Sequence, residues 1–369
     1  MRARSFISAS CAIAGVVALV ATACSSFTAD AESSNDAAAA ADGTLADAAD
    51  VDATQAQDAG ISPPPNDAFV LGQGFGMLSS IAANEASVFV GDQGAGRIFE
   101  ISLENGGVPT ELGQVMNPTT LAVSAGGALF WGDTSASLLG RIGGSSGSAG
   151  NAQIITTNMV QPTSIALATP EGQATASRLL LGGANLTSGF GEVQHYDPNT
   201  LIGVANTSAP PMPAPVNLYD VTSHEGTLYF TDASRGRIYI GTVAGTTAPA
   251  ELVSGETDCR SIAADAAGVY WARPQDGVVR WRLGDGSNVM KTLAGNQDQP
   301  RSLAADASGV YWMTGDGFIR RHKRSETPPQ VFAQGFQSAF INQYLQTIAL
   351  TSKYVVWITT DGKVLRAAK

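Results

Sequence analysis

The sequence has few basic residues and few charges of either sign. Its 369 residues include 21 Lys and Arg against 32 Asp and Glu, which gives a formal net charge of −11. Nucleic-acid binding needs a dense basic surface, so this balance argues against that class of protein. Charged residues make up 14% of the chain and hydrophobic residues 44%, which excludes disorder over its whole length. No long amphipathic helix pattern is present, and the 41 glycines favour short strands joined by turns.

The apolar run at the N-terminus is too short for a comfortable membrane span. It covers residues 11–20, follows Arg2 and Arg4, and is typical of an export signal. The next four residues, Ala-Thr-Ala-Cys at 21–24, resemble the lipobox of bacterial lipoproteins, although Ala21 stands where leucine is usual. The resemblance implies a signal peptide over residues 1–23 and lipid attached to Cys24. Ser25 follows instead of Asp, and in the sorting pattern of enteric lipoproteins this resembles an outer-membrane destination. An ordinary secretory signal cut after residue 23 is the alternative.

Residues 24–66 form the lipidated cysteine and a tether that we expect to be disordered. The 42 residues after Cys24 contain 13 Ala, 8 Asp or Glu, and no Lys or Arg. They show no apolar periodicity and cannot bury enough surface to offset their ordering entropy. Of the net charge, −8 lies here and +2 in the signal, so residues 67–369 carry −5. The charge of the whole chain therefore says little about a ligand of the folded domain.

Residues 67–369 repeat themselves about every 43 residues, and the clearest copies are SIAADAAGVYW at 261–271 and SLAADASGVYW at 302–312. The pattern of each repeat predicts four short antiparallel strands. We call the apolar residue at the equivalent position of each first strand the anchor of that blade. Asp-Gly pairs at 276–277, 316–317 and 361–362 predict tight hairpins between the second and third strands. Four strands per repeat are typical of a β-propeller blade. The anchors are Ile81, Leu121, Ile165, Val221, Ile262, Leu303 and Ile348.

The blades resemble those of the YWTD and NHL propeller families. The segments that carry the resemblance are NPTTLA at 117–122, YFTD at 229–232 and QPRSLA at 299–304. The seven repeats predict an all-β, seven-bladed β-propeller, and the resemblance supports this fold without implying a particular activity. Blade three lacks the aromatic residues of the other blades, so a six-bladed ring is the alternative. The seventh repeat has no fourth strand of its own, and residues 68–73 are predicted to supply it and close the ring.

The residue four positions before each anchor is predicted to lie at one mouth of the central channel. Five of these seven residues are amides or an acid, and a polar ring at a channel mouth is typical of a ligand site. The alternative is that an amide before Pro118, Pro162 or Pro300 only begins a turn. The five candidate binding residues are Asn117, Gln161, Asn217, Asp258 and Gln299.

Other motifs favour structural roles. The GGSSG match at 143–147 lies in a Gly/Ser-rich loop without the strand–turn–helix context of a nucleophile elbow. The column Val90, Trp131, Leu181, Phe230, Trp271, Trp312 and Trp357 is predicted to pack between blades. Asp92, Asp133 and Asp232 are predicted to make repeated turn or inter-blade hydrogen bonds.

Cysteine and histidine are scarce. With the signal removed and Cys24 lipidated, Cys259 is the one remaining thiol, so no internal disulfide can form. It is predicted to be a small buried filler, with a reactive thiol as the alternative. His195, His224 and His322 form no spaced metal pair, and we expect His195 and His224 at the surface.

Together these patterns predict a monomeric, membrane-tethered cell-envelope propeller. It is predicted to be anchored to the outer membrane, periplasmic or surface-facing, and to act as a non-enzymatic ligand-binding or protein-interaction scaffold. No catalytic residue, metal site, cofactor or nucleic-acid partner is expected. The alternative is a lactonase-like hydrolase or lyase with a cation-dependent site at the channel mouth. That class needs several carboxylates around the channel, and Asp258 is the one carboxylate among the five candidates.

Overall fold

The computed structural model describes residues 68–143, 153–157, 159–171, 178–185, 191–208, 218–245, 247–284, 289–323, 329–334 and 346–369. Cys24, the tether, Asn217 and most of the 143–147 motif lie outside these residues. The described residues form seven four-stranded antiparallel sheets, which are the blades of a β-propeller. No helix in this part of the chain is long and apolar enough to cross a membrane.

The first strands of the blades contact one another in sequence around the ring, and the first strand of blade seven contacts that of blade one. These strands are β2 (Leu78–Ala83), β6 (Pro118–Val123), β10 (Met159–Ala168), β14 (Leu218–His224), β18 (Ser261–Asp265), β22 (Arg301–Asp306) and β26 (Ile348–Leu350). The second strands are β3 (Ser87–Asp92), β7 (Leu129–Asp133), β11 (Arg178–Asn185), β15 (Thr227–Asp232), β19 (Gly268–Arg273), β23 (Gly309–Met313) and β27 (Tyr354–Ile358).

The third and fourth strands complete each sheet on the side away from the central channel. The third strands are β4 (Arg97–Ser102), β8 (Leu138–Ile142), β12 (Gly191–Tyr196), β16 (Arg237–Thr242), β20 (Val278–Leu283), β24 (Phe318–His322) and β28 (Lys363–Ala368). The outermost strands are β5 (Thr110–Gln114), β9 (Gln153–Thr156), β13 (Gly203–Ser208), β17 (Ala250–Val253), β21 (Met290–Ala294), β25 (Gln330–Gln334) and β1 (Phe69–Gln73). Blade three is complete, which confirms seven blades over the six-bladed alternative.

The ring closes as predicted, because β1 is the outermost strand of blade seven. It pairs with β28 in antiparallel register, with Phe69 opposite Arg366. The Arg366 guanidinium lies 5.0 Å from the Phe69 ring centroid and 4.3 Å from that of Tyr354, a cation–π arrangement that holds the strand end. Leu71 in the same strand is 2% exposed and belongs to the apolar cluster between blades seven and one.

The predicted aromatic column is a packing layer. Its seven side chains are at most 2% exposed, and most pair directly with an anchor, as Leu121 does with Trp131. The third strand of blade two makes room for that indole with Gly140, because a Cβ there would lie 2.0 Å from the Trp131 ring. The glycines of the three Asp-Gly turns have the positive φ that such turns require, from 63° to 88°.

The repeated aspartates hold turns and strand starts, as predicted. Asp92 Oδ2 accepts a hydrogen bond from the N–H of Gly76 (2.7 Å), and Asp133 Oδ2 accepts one from Asn117 (3.1 Å). The other carboxylate oxygen accepts bonds from the turn after the second strand, from Ala95 for Asp92 and from Ala136 for Asp133, both at 3.0 Å. Each carboxylate thus ties the start of its blade to the following hairpin.

The surface position predicted for His195 is wrong. The side chain is fully buried, and Nδ1 lies 3.1 Å from the carbonyl oxygen of Val243 in the next blade. Burial lowers the pKa of this imidazole. The turn that contains Val243 and Gly245 lies against the His195 ring, and the pattern within one repeat does not reveal such a contact between blades.

Candidate functional site

A cavity of about 900 Å³ lies where the first strands converge, and all seven blades contribute to its lining. Its volume is within the range of small-molecule sites in proteins. The cavity is open because the residue after each anchor is small. These residues are Ala82, Ala122, Ala166, Thr222, Ala263, Ala304 and Ala349.

The residue before each anchor carries a hydroxyl in six of the seven blades. These residues are Ser80, Thr120, Ser164, Ser261, Ser302 and Thr347, with Asp220 in blade four. In three blades the hydroxyl oxygen accepts a hydrogen bond from the anchor N–H of the next blade, which links neighbouring blades at the cavity wall. These bonds join Val221 to Ser164 (3.2 Å), Leu303 to Ser261 (2.8 Å) and Ile348 to Ser302 (3.1 Å).

Asp220 makes the same link with a carboxylate. Its Oδ2 accepts a hydrogen bond from the anchor N–H of Ile262 (2.9 Å), while Oδ1 accepts bonds from Ser164 Oγ (2.6 Å) and its neighbour Val221 N–H (2.9 Å). Burial raises the pKa of Asp220 to about 6, although the bonds from Ser164, the backbone and Ser261 oppose that rise. Asp220 also lines the cavity, so the channel wall holds an acid that the sequence analysis missed.

The residue two positions before each anchor is short in blades one to three and long in blades four to seven. In blades one to three it is Ser79, Thr119 or Thr163, and each hydroxyl donates to a backbone carbonyl, as Thr163 does to Leu218 (2.9 Å). In blades four to seven it is a longer side chain that lines the cavity. These side chains are Tyr219, Arg260, Arg301 and Gln346.

Two of the five predicted binding residues line this cavity. Asp258 accepts a hydrogen bond from Gln275 N–H (3.1 Å) on Oδ2 and from Arg260 Nε on Oδ1, and Gln299 bonds to the Arg301 guanidinium through its side-chain oxygen. Both Asp258 and Gln299 have positive φ, 62° and 41°, which places them at sharp turns before their strands.

Of the other three predicted residues, the structure describes the side chain of Asn117 alone. Asn117 is absent from the described lining, and its side chain reaches Thr134 Oγ1 at 3.5 Å. Gln161 lies in β10, but its side chain is outside the description. Asn217 falls in the undescribed segment 209–217. Their role in binding stays a prediction.

The described residues hold no group of three His, Cys, Asp or Glu side chains placed to ligate a metal. Cys259 is fully buried behind the cavity wall, where Sγ donates to the Arg237 carbonyl at 3.7 Å. Burial raises the pKa of this thiol, and the carboxylates of Asp232 and Glu256 raise it further. Such a thiol is a poor nucleophile, in agreement with the predicted buried filler.

Comparison with known proteins identifies the fold. No protein-family model and no curated protein sequence matches this chain. Among solved structures, virginiamycin B lyase from Staphylococcus aureus superposes with a TM-score of 0.63 at 14% identity, covering 82% of this chain and 99% of that chain. The WD40 propeller domain of Doa1 gives a TM-score of 0.63 at 10% identity, covering 82% of this chain and 97% of that chain. The chain is a β-propeller that resembles virginiamycin B lyase and NHL-type propellers, and at these identities the likeness extends to fold alone.

A third similar structure comes from a bacterial surface protein. PorZ of Porphyromonas gingivalis, described as an essential surface component of the type-IX secretion system, gives a TM-score of 0.57 at 13% identity. The match covers 81% of this chain and 37% of that chain. The propeller architecture thus occurs in a lyase, in a WD40 domain and in a component of a secretion system, so the fold alone does not indicate an activity.

Proposed function

We propose that the propeller binds a small molecule in its central cavity without transforming it, and that it does so at the cell envelope. The observation that carries the proposal is the open cavity of about 900 Å³, with alanine on its walls and polar side chains from blades four to seven at one end. A mostly apolar concave site with a few converging polar groups is the usual form of a ligand pocket.

Filling the cavity tests this proposal. Ala264 is half-buried, lines the cavity and belongs to none of the apolar core clusters, so Ala264→Trp places an indole in the open space. The control is Ala125→Trp, in the exposed turn between β6 and β7. A library of neutral fragments is screened against the full chain by ligand-observed NMR. We expect bound fragments to be lost in Ala264→Trp and kept in Ala125→Trp. Equal binding of the fragments to both variants refutes the proposal, and so does the absence of binding to the wild type by any of these fragments and by the charged probes described in the next subsection.

The envelope part of the proposal rests on the N-terminal sequence. We place a signal peptide at 1–23, a lipid on Cys24 and a tether up to residue 66. Treated as a coil, 42 residues have a root-mean-square reach of about 35–40 Å, enough to hold the domain clear of a membrane surface. Cys24→Ser is expected to release the protein from the outer-membrane fraction. Retention of that variant in the membrane refutes lipid anchoring.

The competing function is a cation-dependent hydrolase or lyase at the same end of the channel. The feature that favours it is Asp220, a cavity-wall acid whose pKa is raised to about 6, within the range useful for proton transfer near neutral pH. A cation that binds only the folded state raises the melting midpoint. A rise in Tm with millimolar calcium that is lost in Asp258→Asn supports this competitor, and no shift argues against it.

A further inference from the structure

The polar end of the cavity holds two arginines from neighbouring blades. Arg260 precedes the anchor of blade five by two positions, and Arg301 precedes that of blade six by two, so the repeat places them side by side. The Arg260 side chain is 23% exposed. Burial lowers the pKa of Arg301, Asp298 opposes this, and the positive charge of Arg260 lowers it further. The two guanidinium groups therefore line the same cavity, and the charge of one acts on the other.

Each guanidinium is held in place by its own neighbours. Arg260 Nε donates to Asp258, and its guanidinium carbon lies 5.5 Å from the ring centroid of Tyr219. Arg301 Nε donates to the backbone carbonyl of Gln299 (3.2 Å), and a terminal nitrogen donates to the amide oxygen of that side chain. A guanidinium has five N–H donors in a rigid plane, a geometry that matches the two oxygens of a carboxylate. Oriented donors lose less entropy on binding.

The remainder of the cavity is suited to an apolar group. The ring of small residues after the anchors carries no charge, and the charged side chains of the described lining are Asp220, Asp258, Arg260 and Arg301. Asp220 is engaged by Ser164 and by the backbone N–H groups of Val221 and Ile262, which leaves the arginine pair and Asp258 as the charges at the polar end.

We infer that the cavity selects a small organic carboxylate, whose charged group is bound by Arg260 and Arg301 and whose apolar body rests on the alanine wall. The inference rests on the proposed function and specifies its ligand class. Two guanidinium groups on one carboxylate form charge-assisted hydrogen bonds, which are stronger than those between neutral groups. The ligand charge also relieves the repulsion between the two arginines. No bond is made or broken in this binding.

Matched probes separate charge from shape. Three carboxylates, benzoate, hexanoate and naphthalene-2-carboxylate, and their three primary amides are titrated into the full chain and followed by ligand-observed NMR. The variants are Arg260→Gln and Arg301→Gln. The control is Arg97→Gln, which removes an arginine paired with Glu111 on the outer strands of blade one. Melting curves establish that each variant is folded.

We expect the wild type to prefer at least one carboxylate over its amide by about 10-fold or more, the range for a hydrogen bond to a charged group. The preference is lost in Arg260→Gln and in Arg301→Gln, and is kept in Arg97→Gln. Added salt weakens carboxylate binding to the wild type and leaves amide binding unchanged. The salt series needs no variant, so it still tests the charge dependence of binding where a substitution unfolds the chain.

The outcomes distinguish this inference from the proposed function. Equal binding of carboxylates and amides to the wild type overturns the inference, and so does a preference for carboxylates that neither substitution changes. Neither result contradicts the proposed function, which is ligand binding in the cavity. Binding of none of the six compounds, together with no neutral fragment in the cavity-filling experiment, overturns both.

Discussion

Replacing Asp220 with serine tests the role of the one carboxylate in the inter-blade ring. The variant reproduces the residue found at this position in blades three, five and six, which keeps an acceptor for the Ile262 N–H and removes the acid. Asp220 has a pKa of about 6 in the folded protein against an ordinary value of 3.8. The folded state therefore binds a proton more tightly than the unfolded chain does.

The sign and size of the effect follow from that difference. A raised carboxyl pKa contributes stability that is fully present below pH 3.8 and is lost as the pH rises through about 6. A difference of about two pKa units corresponds to roughly 3 kcal/mol at about 1.4 kcal/mol per unit. Asp220 is half-buried because part of it faces the cavity, so this figure is an upper bound. For about 300 folded residues it corresponds to a Tm difference of at most about 5 °C.

The assay is urea unfolding of wild type and Asp220→Ser at a series of pH values between 3.5 and 8. Taking the difference between the two proteins at each pH removes the contribution of every other titrating group. We expect the unfolding free energy of Asp220→Ser to rise relative to that of the wild type as the pH increases from about 4 to about 7. The control is Ala125→Ser, in the exposed turn between β6 and β7, which changes no titrating group and is expected to give a curve parallel to that of the wild type. Parallel curves for wild type and Asp220→Ser would refute the reasoning.

Three further predictions concern ring closure, packing and the thiol. Leu71→Asp places a charge in the buried face of β1 and is expected to lower the free energy of unfolding by about 3–5 kcal/mol. The control, Val70→Asp, changes a position that is 42% exposed and is expected to cost far less. Similar urea midpoints for the two variants would contradict the closing role of β1. Gly140→Ala drives a methyl group into the Trp131 indole and is expected to cost about 1–3 kcal/mol, while Gly143→Ala, with nothing within 4 Å of the new methyl, is nearly neutral in the same assay. In a variant with Cys11→Ser and Cys24→Ser, Cys259 is the one thiol left. We expect it to react with a thiol reagent only as fast as the protein unfolds, because the thiol is buried and its pKa is raised. Rapid labelling of the native protein would show instead that the thiol is accessible.

The repeat pattern was sufficient to predict the blades. Pairing within each of the first six blades is between consecutive strands, so the spacing of anchors such as Ile262 and aromatic residues such as Trp271 fixes the register directly. The closing strand was predictable for a related reason. The seventh repeat lacks a fourth strand, and only residues 68–73 offer one.

The site was less predictable because the first strands are irregular where they begin. The register shifts between Leu218 and Val221, and also between Arg301 and Ala304. A bulge adds a residue and turns side chains away from the alternation expected for a regular strand. Counting four positions back from the anchors reached Asp258 and Gln299 in the cavity lining but not Asp220 and Arg301, which lie one and two positions back in blades four and six. Blade five has no such shift, and Arg260 was missed because only one position of each repeat was considered.

The pairing of β1 with β28 sets the order in which the chain can finish folding. Each of the first six blades is built from consecutive strands and can form as soon as its own four strands are available. Blade seven joins the first strand of the domain to the last, and contacts between residues this distant along the chain form slowly. Until β28 emerges, β1 has no edge to pair with and blade seven has only its inner strands. A chain cut short in its last repeat therefore leaves both ends of the ring exposed, and completion of the C-terminus is the step that commits the whole domain to its closed form.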